Sequence, residues 1–177
     1  MAAGQGAPLS VDAFVEAGGS FIRNAEIGYA CPQVCTPSGC PPCPQPGTVP
    51  NAGRLFAGAR FRMDHDAIEG SYSYSPNQAG GYNHLDLFSF NYVRYLWLRM
   101  RVQPFATIGL GANRISGPSP TPTSHNFAWN YGGGADVVLR RHLALRLELR
   151  DFVGGQPGGF GTIHNLAPSA GIVLKFR

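Results

Sequence analysis

The stretch Leu143-Ala-Leu-Arg-Leu-Glu-Leu-Arg-Asp-Phe152 places leucine at every second position, with Ala144, Arg146, Glu148 and Arg150 between. Successive side chains of a β-strand point to opposite faces. One face of this strand is therefore Leu143, Leu145, Leu147 and Leu149, and the other is small or charged. A charge facing lipid near mid-bilayer costs about 2–4 kcal/mol. The leucine face carries none.

The alternation recurs along the chain. Residues 53–63 set Leu55, Ala57, Ala59, Phe61 and Met63 against Arg54, Phe56, Gly58, Arg60 and Arg62. Residues 165–176 set Leu166, Pro168, Ala170, Ile172, Leu174 and Phe176 against Ala167, Ser169, Gly171, Val173 and Lys175. Residues 127–139 oppose Phe127, Trp129, Tyr131, Gly133 and Ala135 to Asn130, Gly132, Gly134 and Asp136. Residues 67–75 oppose Ile68, Gly70, Tyr72 and Tyr74 to Glu69, Ser71, Ser73 and Ser75. Further segments at 11–23, 85–95 and 102–114 complete eight predicted strands. Their lengths lie near the about 9–11 residues that a tilted membrane strand needs. In 85–95 the aromatic face of Phe88, Phe90 and Tyr92 is assigned to lipid and Asn91 to the interior.

Connection lengths sort by parity. Those after the first, third, fifth and seventh strands are 24–52, 76–84, 116–126 and 154–164, and those after the second, fourth and sixth are shorter. Transmembrane barrels have short periplasmic turns and longer extracellular loops. The expected fold is an all-β, eight-stranded antiparallel up-and-down transmembrane barrel over residues 10–177, behind a flexible leader at 1–9. Both termini then lie on the periplasmic side, and 24–52 is a long extracellular loop.

Composition supports an all-β chain. Charged residues are 14% of the total, against roughly a quarter in ordinary soluble domains. Hydrophobic residues are 44%, but mean hydropathy is −0.09. There is no run of about 18 or more apolar residues, as a membrane helix requires. The 24 glycines and 15 prolines favour turns and close-packed strands. Lys175 is the sole lysine among 14 basic residues, and the arginines are spread over several strands. That distribution gives no basic stripe of the kind that nucleic-acid binding needs, so no nucleic-acid partner is expected.

The polar faces decide between a membrane barrel and a soluble one. They are rich in Gly, Ser and Ala, and their charges nearly balance. Arg54, Arg60, Arg62, Arg146, Arg150 and Lys175 stand against Asp12, Glu16, Glu69, Asp136 and Glu148, leaving +1. Buried charges must be paired, so these residues are expected to form an ion network in a plugged lumen. Leu143, Leu145, Leu147, Leu149, Ile172, Leu174 and Phe176 are expected to face outer-membrane lipid. Tyr and Trp favour membrane interfaces. Trp97, Trp129 and Tyr131 are the expected interfacial set, with Phe14, Phe21, Phe61, Tyr72, Tyr74, Tyr95, Phe127 and Phe176 also near strand ends.

The segments 127–139 and 143–152 resemble the last hairpins of the outer-membrane β-barrel family that includes the opacity porins and OmpA-like membrane domains. Pro104-Phe-Ala-Thr-Ile-Gly-Leu-Gly-Ala112 resembles that family's fifth strand. Ala170-Gly-Ile-Val-Leu-Lys-Phe176 resembles its closing strand, whose terminal aromatic the insertion machinery recognises; here Arg177 follows it. The resemblance implies a bacterial outer-membrane location. Met1-Ala2-Ala3-Gly4 has neither a charged n-region nor an apolar h-region, so a mature or trimmed form is expected.

Four cysteines, Cys31, Cys35, Cys40 and Cys43, lie in the proline-rich first loop. Two disulfides in an oxidising compartment are the favoured reading, with three pairings open. A four-thiolate zinc site is the alternative. His84, His125 and His164 fall on the loop side and read as solvated loop histidines. Ser124-His125 stands without a strand-borne Ser/His/acid set. Gly132-Gly-Gly134 has no following helix and is not a phosphate loop. No catalytic, cofactor or metal residue is assigned. The expected function is a structural and surface-interaction protein whose loops meet an extracellular partner. A lipid-modifying outer-membrane enzyme and a soluble ligand-carrying barrel are the alternatives.

Overall fold

The computed structural model describes residues 9–23, 52–76, 84–98, 100–116, 124–155 and 162–176. Eight strands follow in chain order: β1 (Ser10–Arg23), β2 (Ala52–Met63), β3 (Asp66–Pro76), β4 (His84–Tyr95), β5 (Val102–Ser116), β6 (Ser124–Arg140), β7 (Leu143–Gly155) and β8 (Thr162–Phe176). Each pairs antiparallel with its sequence neighbours, and β1 pairs with β8 to close the barrel. The all-β up-and-down barrel expected from the sequence is the fold found. Closure leaves no unpaired strand edge.

Strands β2 to β8 extend farther at the loop end than the sequence pattern predicts, most of all β6, β7 and β8, by three residues each. β6 begins at Ser124, β7 runs to Gly155 and β8 begins at Thr162. The ladder continues there through Gly154↔Ile163 and Gly155↔Thr162. Backbone pairing needs no apolar alternation, so it outlasts the hydrophobic signal. At the opposite end, Asp64-His65 and Arg141-His142 make tight two-residue turns. Asp64 has φ 56° there, a left-handed conformation that Asp tolerates better than most residues.

The faces divide as the alternation requires. Leu147, Phe90 and Ile172 are exposed on the outside, at 51%, 63% and 53%. Phe88 and Tyr92 point outward with Phe90, and Asn91 is buried inside. Inside, three small apolar clusters bracket a polar middle. Phe56, Leu87, Ala128, Phe152 and Ala167 sit toward the loop end. Ala67, Val93, Tyr95 and Phe105, and separately Phe14, Ala144 and Val173, sit toward the turn end.

Two aromatics assigned from sequence to the interface lie in the lumen instead. Phe14 and Tyr95 are buried. Strand parity explains both. Phe14 shares a face with Asp12 and Glu16, and Tyr95 shares one with Asn91, so proximity to a strand end was the weaker signal.

Candidate functional site

The polar middle of the lumen is the most densely bonded part of the described residues. Register begins it. Arg60 on β2 lies directly across from Glu69 on β3, and Asp136 on β6 directly across from Arg146 on β7. Directly opposed residues share a face, with Cβ atoms about 4.5–5.5 Å apart. Arg60 donates to Glu69 through Nε at 3.0 Å and also through Nη2. Arg146 grips Asp136 with Nε at 2.7 Å and Nη2 at 3.1 Å. This two-pronged geometry is what a guanidinium offers and an ammonium does not.

The two pairs are joined across the barrel. The Tyr95 hydroxyl accepts from Arg60 Nη1 and donates to Asp136 at 2.7 Å. Arg146 Nη1 lies 3.5 Å from Glu69 and 3.6 Å from Glu16. Arg150 donates to Glu148 at 2.6 Å and also to Glu69. Asn91 donates to Glu69 at 3.2 Å and accepts from Asn130 at 2.9 Å. Ser169 donates to Glu16. Phe105 on β5 lies beneath the guanidinium groups of Arg60 and Arg146, 5.0 and 5.3 Å from its ring centre. All eight strands contribute, and Arg60, Glu69, Asp136 and Arg146 have no exposed surface.

Glycines make room for this packing. A Cβ on Gly134 would stand 2.9 Å from the Glu148 backbone and 2.9 Å from the Phe105 ring. The Gly132-Gly-Gly134 run is a steric device inside a strand.

The remaining candidates fall at the two ends. Toward the turns, Arg62 lies 3.8 Å from Asp12, and Lys175 donates to Gln103 at 3.2 Å. Toward the loops, Arg54 departs from the network expected to include it. No acidic partner reaches it among the described residues, and its Nε and Nη1 atoms have no hydrogen bond. Its guanidinium lies 5.7 and 5.4 Å from the ring centres of Phe56 and Phe152. The acids meet in the middle of the barrel, and Arg54, three steps of the alternation above Arg60, is beyond their reach.

Outside the barrel, Leu143 is half-buried, while Leu145, Leu147, Leu149, Ile172, Leu174 and Phe176 are exposed, as are Trp97, Trp129 and Tyr131. Polar contacts that the sequence analysis missed ring both rims. Tyr131 donates to Asp151 at 2.9 Å, and His164 lies 2.7 Å from the same carboxylate. Tyr72 donates to Asp86 at 2.7 Å, and His84 lies 3.4 Å from it. Tyr92 and Arg94 both donate to Asp66 near the turns. Outward-facing Tyr and acid residues on neighbouring strands were the signal for these, directly opposed for Tyr131 with Asp151 and diagonal for Tyr72 with Asp86 and Tyr92 with Asp66. No three His, Cys, Asp or Glu residues assemble as a metal-holding group among the described residues. Cys31, Cys35, Cys40 and Cys43, the leader 1–8 and most of the loop 24–52 lie outside the described residues.

No family model matches the sequence, and comparison with curated proteins gives no match. Solved structures do resemble it. The Neisserial surface protein NspA is similar with a TM-score of 0.67 and 14% identity, covering 95% of this chain and 97% of that one. The N-terminal β-barrel domain of Pseudomonas aeruginosa OprF gives 0.60 and 15%, covering 97% and 100%. Ail, the attachment invasion locus protein of Yersinia pestis, gives 0.56 and 11%, covering 96% and 99%. Ail has also been solved in complex with the heparin analogue sucrose octasulfate, with a TM-score of 0.52, 11% identity and coverage of 96% and 99%. At these identities the likeness is one of fold: the chain is an eight-stranded barrel of the outer-membrane type.

Proposed function

We propose that this protein is a surface-interaction protein of a bacterial outer membrane, with a barrel that anchors and loops that meet an extracellular partner. The apolar belt contacts lipid. The lumen is plugged and its charges are paired, so the barrel is not a diffusion pore. The protein performs no catalysis. The observation that carries this reading is the bonded cluster of Arg60, Glu69, Tyr95, Asp136, Arg146 and Arg150 spanning the lumen between opposite strands. An eight-stranded barrel is just wide enough for side chains to fill, and this cluster supplies them. The likeness to Ail, known with a sulfated sugar bound, supports an extracellular ligand for the loops.

Planar-bilayer recordings test the plug. The folded protein is expected to give no stable large conductance, and a steady pore-sized current would overturn the reading. Protease treatment of intact cells tests the loops. Cleavage within 24–51 with the barrel fragment protected is expected, and full protection would contradict exposure. Within that loop, the four cysteines form two disulfides. Thiol alkylation should label none of them before reduction and all of them after it, and labelling without reduction would contradict this.

A further inference from the structure

Above the charge cluster, toward the loop end, the lumen holds a cavity of about 50 Å³. Its wall is mostly apolar, with Leu85, Leu87 and Phe152 among the lining residues. Arg54, Asn113 and Asn165 supply the polar part. Among the described residues Arg54 is a buried cation with no ion pair, and two of its nitrogens have no hydrogen bond. A buried, uncompensated guanidinium is strongly unfavourable unless a counter-ion reaches it. The flanking Phe56 and Phe152 rings compensate only in part, since cation–π contacts are weaker than a charge-assisted hydrogen bond.

We propose that this cavity binds a small monocarboxylate, with its carboxylate on Arg54 and its short alkyl end against Leu85, Leu87 and Phe152. Three features select that chemistry. The charge count of the lumen exceeds neutrality by a single positive charge, which a monoanion cancels and a dianion overshoots. The volume accommodates roughly three to five water-sized groups, the heavy-atom count of acetate or propionate. The apolar lining favours an anion with a hydrocarbon end over a bare, strongly hydrated ion. Asn113 and Asn165 carry amide N–H groups on the same wall, suited to a second carboxylate oxygen. The site stands on Arg54 and its surroundings alone and is independent of whether the loops bind a partner.

The test uses the full chain folded in nanodiscs, with sodium propionate as probe and the Arg54 Nε–H resonance as readout. A saturable shift below about 100 mM propionate is expected, together with a rise in the unfolding midpoint as ligand stabilises the folded state. Propionamide, the neutral isostere, is expected to give neither. Arg54→Leu should weaken propionate binding, followed on the ligand's own methyl signal, by at least about tenfold. Because Arg54→Leu replaces an unpaired buried charge with an apolar side chain, it should still fold, as heat-modifiable gel migration will show. Arg54→Lys keeps the charge and should retain weakened binding if the first variant fails to fold. The proposal is overturned by the absence of a saturable shift, by an equal response to propionamide or to chloride, or by unchanged binding in a folded Arg54→Leu protein.

Discussion

Glu69 accepts from Arg60, Arg150 and Asn91 and lies within 3.5 Å of Arg146. Removing its charge leaves three buried guanidinium groups short of a counter-ion. Glu69→Gln, which keeps the shape, should therefore destabilise the barrel by about 3–5 kcal/mol, measured by urea unfolding in lipid vesicles. A loss below about 1 kcal/mol would mean that the cluster does not act as a unit. Gly134 makes the complementary point about volume. Gly134→Ala pushes a methyl against the Phe105 ring and the Glu148 backbone, an overpacking expected to cost about 1–3 kcal/mol in the same assay. At this scale much of the cluster could be read from sequence, because Arg60 with Glu69 and Asp136 with Arg146 are simple cross-strand neighbours once the strands are aligned. Contacts between distant strands, such as Tyr95 with Asp136, depend on barrel curvature and rotamer, which alternation does not encode. Arg54 was legible as an inward cation but not as one that no described acid reaches, for the same reason.

Strands are the scale at which the sequence speaks most clearly. β7 alternates without a break from Leu143 to Arg150, and its two faces are unmistakable. β4 is harder, since Leu85, Leu87 and Val93 are apolar on the inward face and Phe88, Phe90 and Tyr92 are apolar on the outward one. Ser89 and Asn91 mark the inward face, while the charges of the outward one, Asp86 and Arg94, sit at its ends. Strand ends were the least legible feature, because the ladder between β7 and β8 continues past the apolar residues. The outward face has its own energetic signature. Leu147→Arg on the outward face should cost about 2–4 kcal/mol if position 147 lies near the bilayer midplane. Vesicle unfolding would show it, and an undiminished stability would mean that this face does not meet hydrocarbon.

Across the whole molecule, the two populations of side chains stand in opposite relation to their surroundings. The exterior is a belt of Leu, Ile and aromatic residues, and the interior holds Arg, Glu and Asp in contact with one another. In water such a molecule would be inverted. Only a hydrocarbon solvent makes the belt favourable, and only mutual pairing makes the interior tolerable.

Tryptophan fluorescence in vesicles with brominated acyl chains measures this arrangement directly. With Trp97 and Trp129 replaced by Phe, Leu147→Trp provides a single reporter on the belt. Blue-shifted emission, quenched most strongly by bromines deep in the chains and indifferent to aqueous iodide, is the predicted result. Emission insensitive to brominated lipid and quenched by iodide would place that face in water and contradict the account.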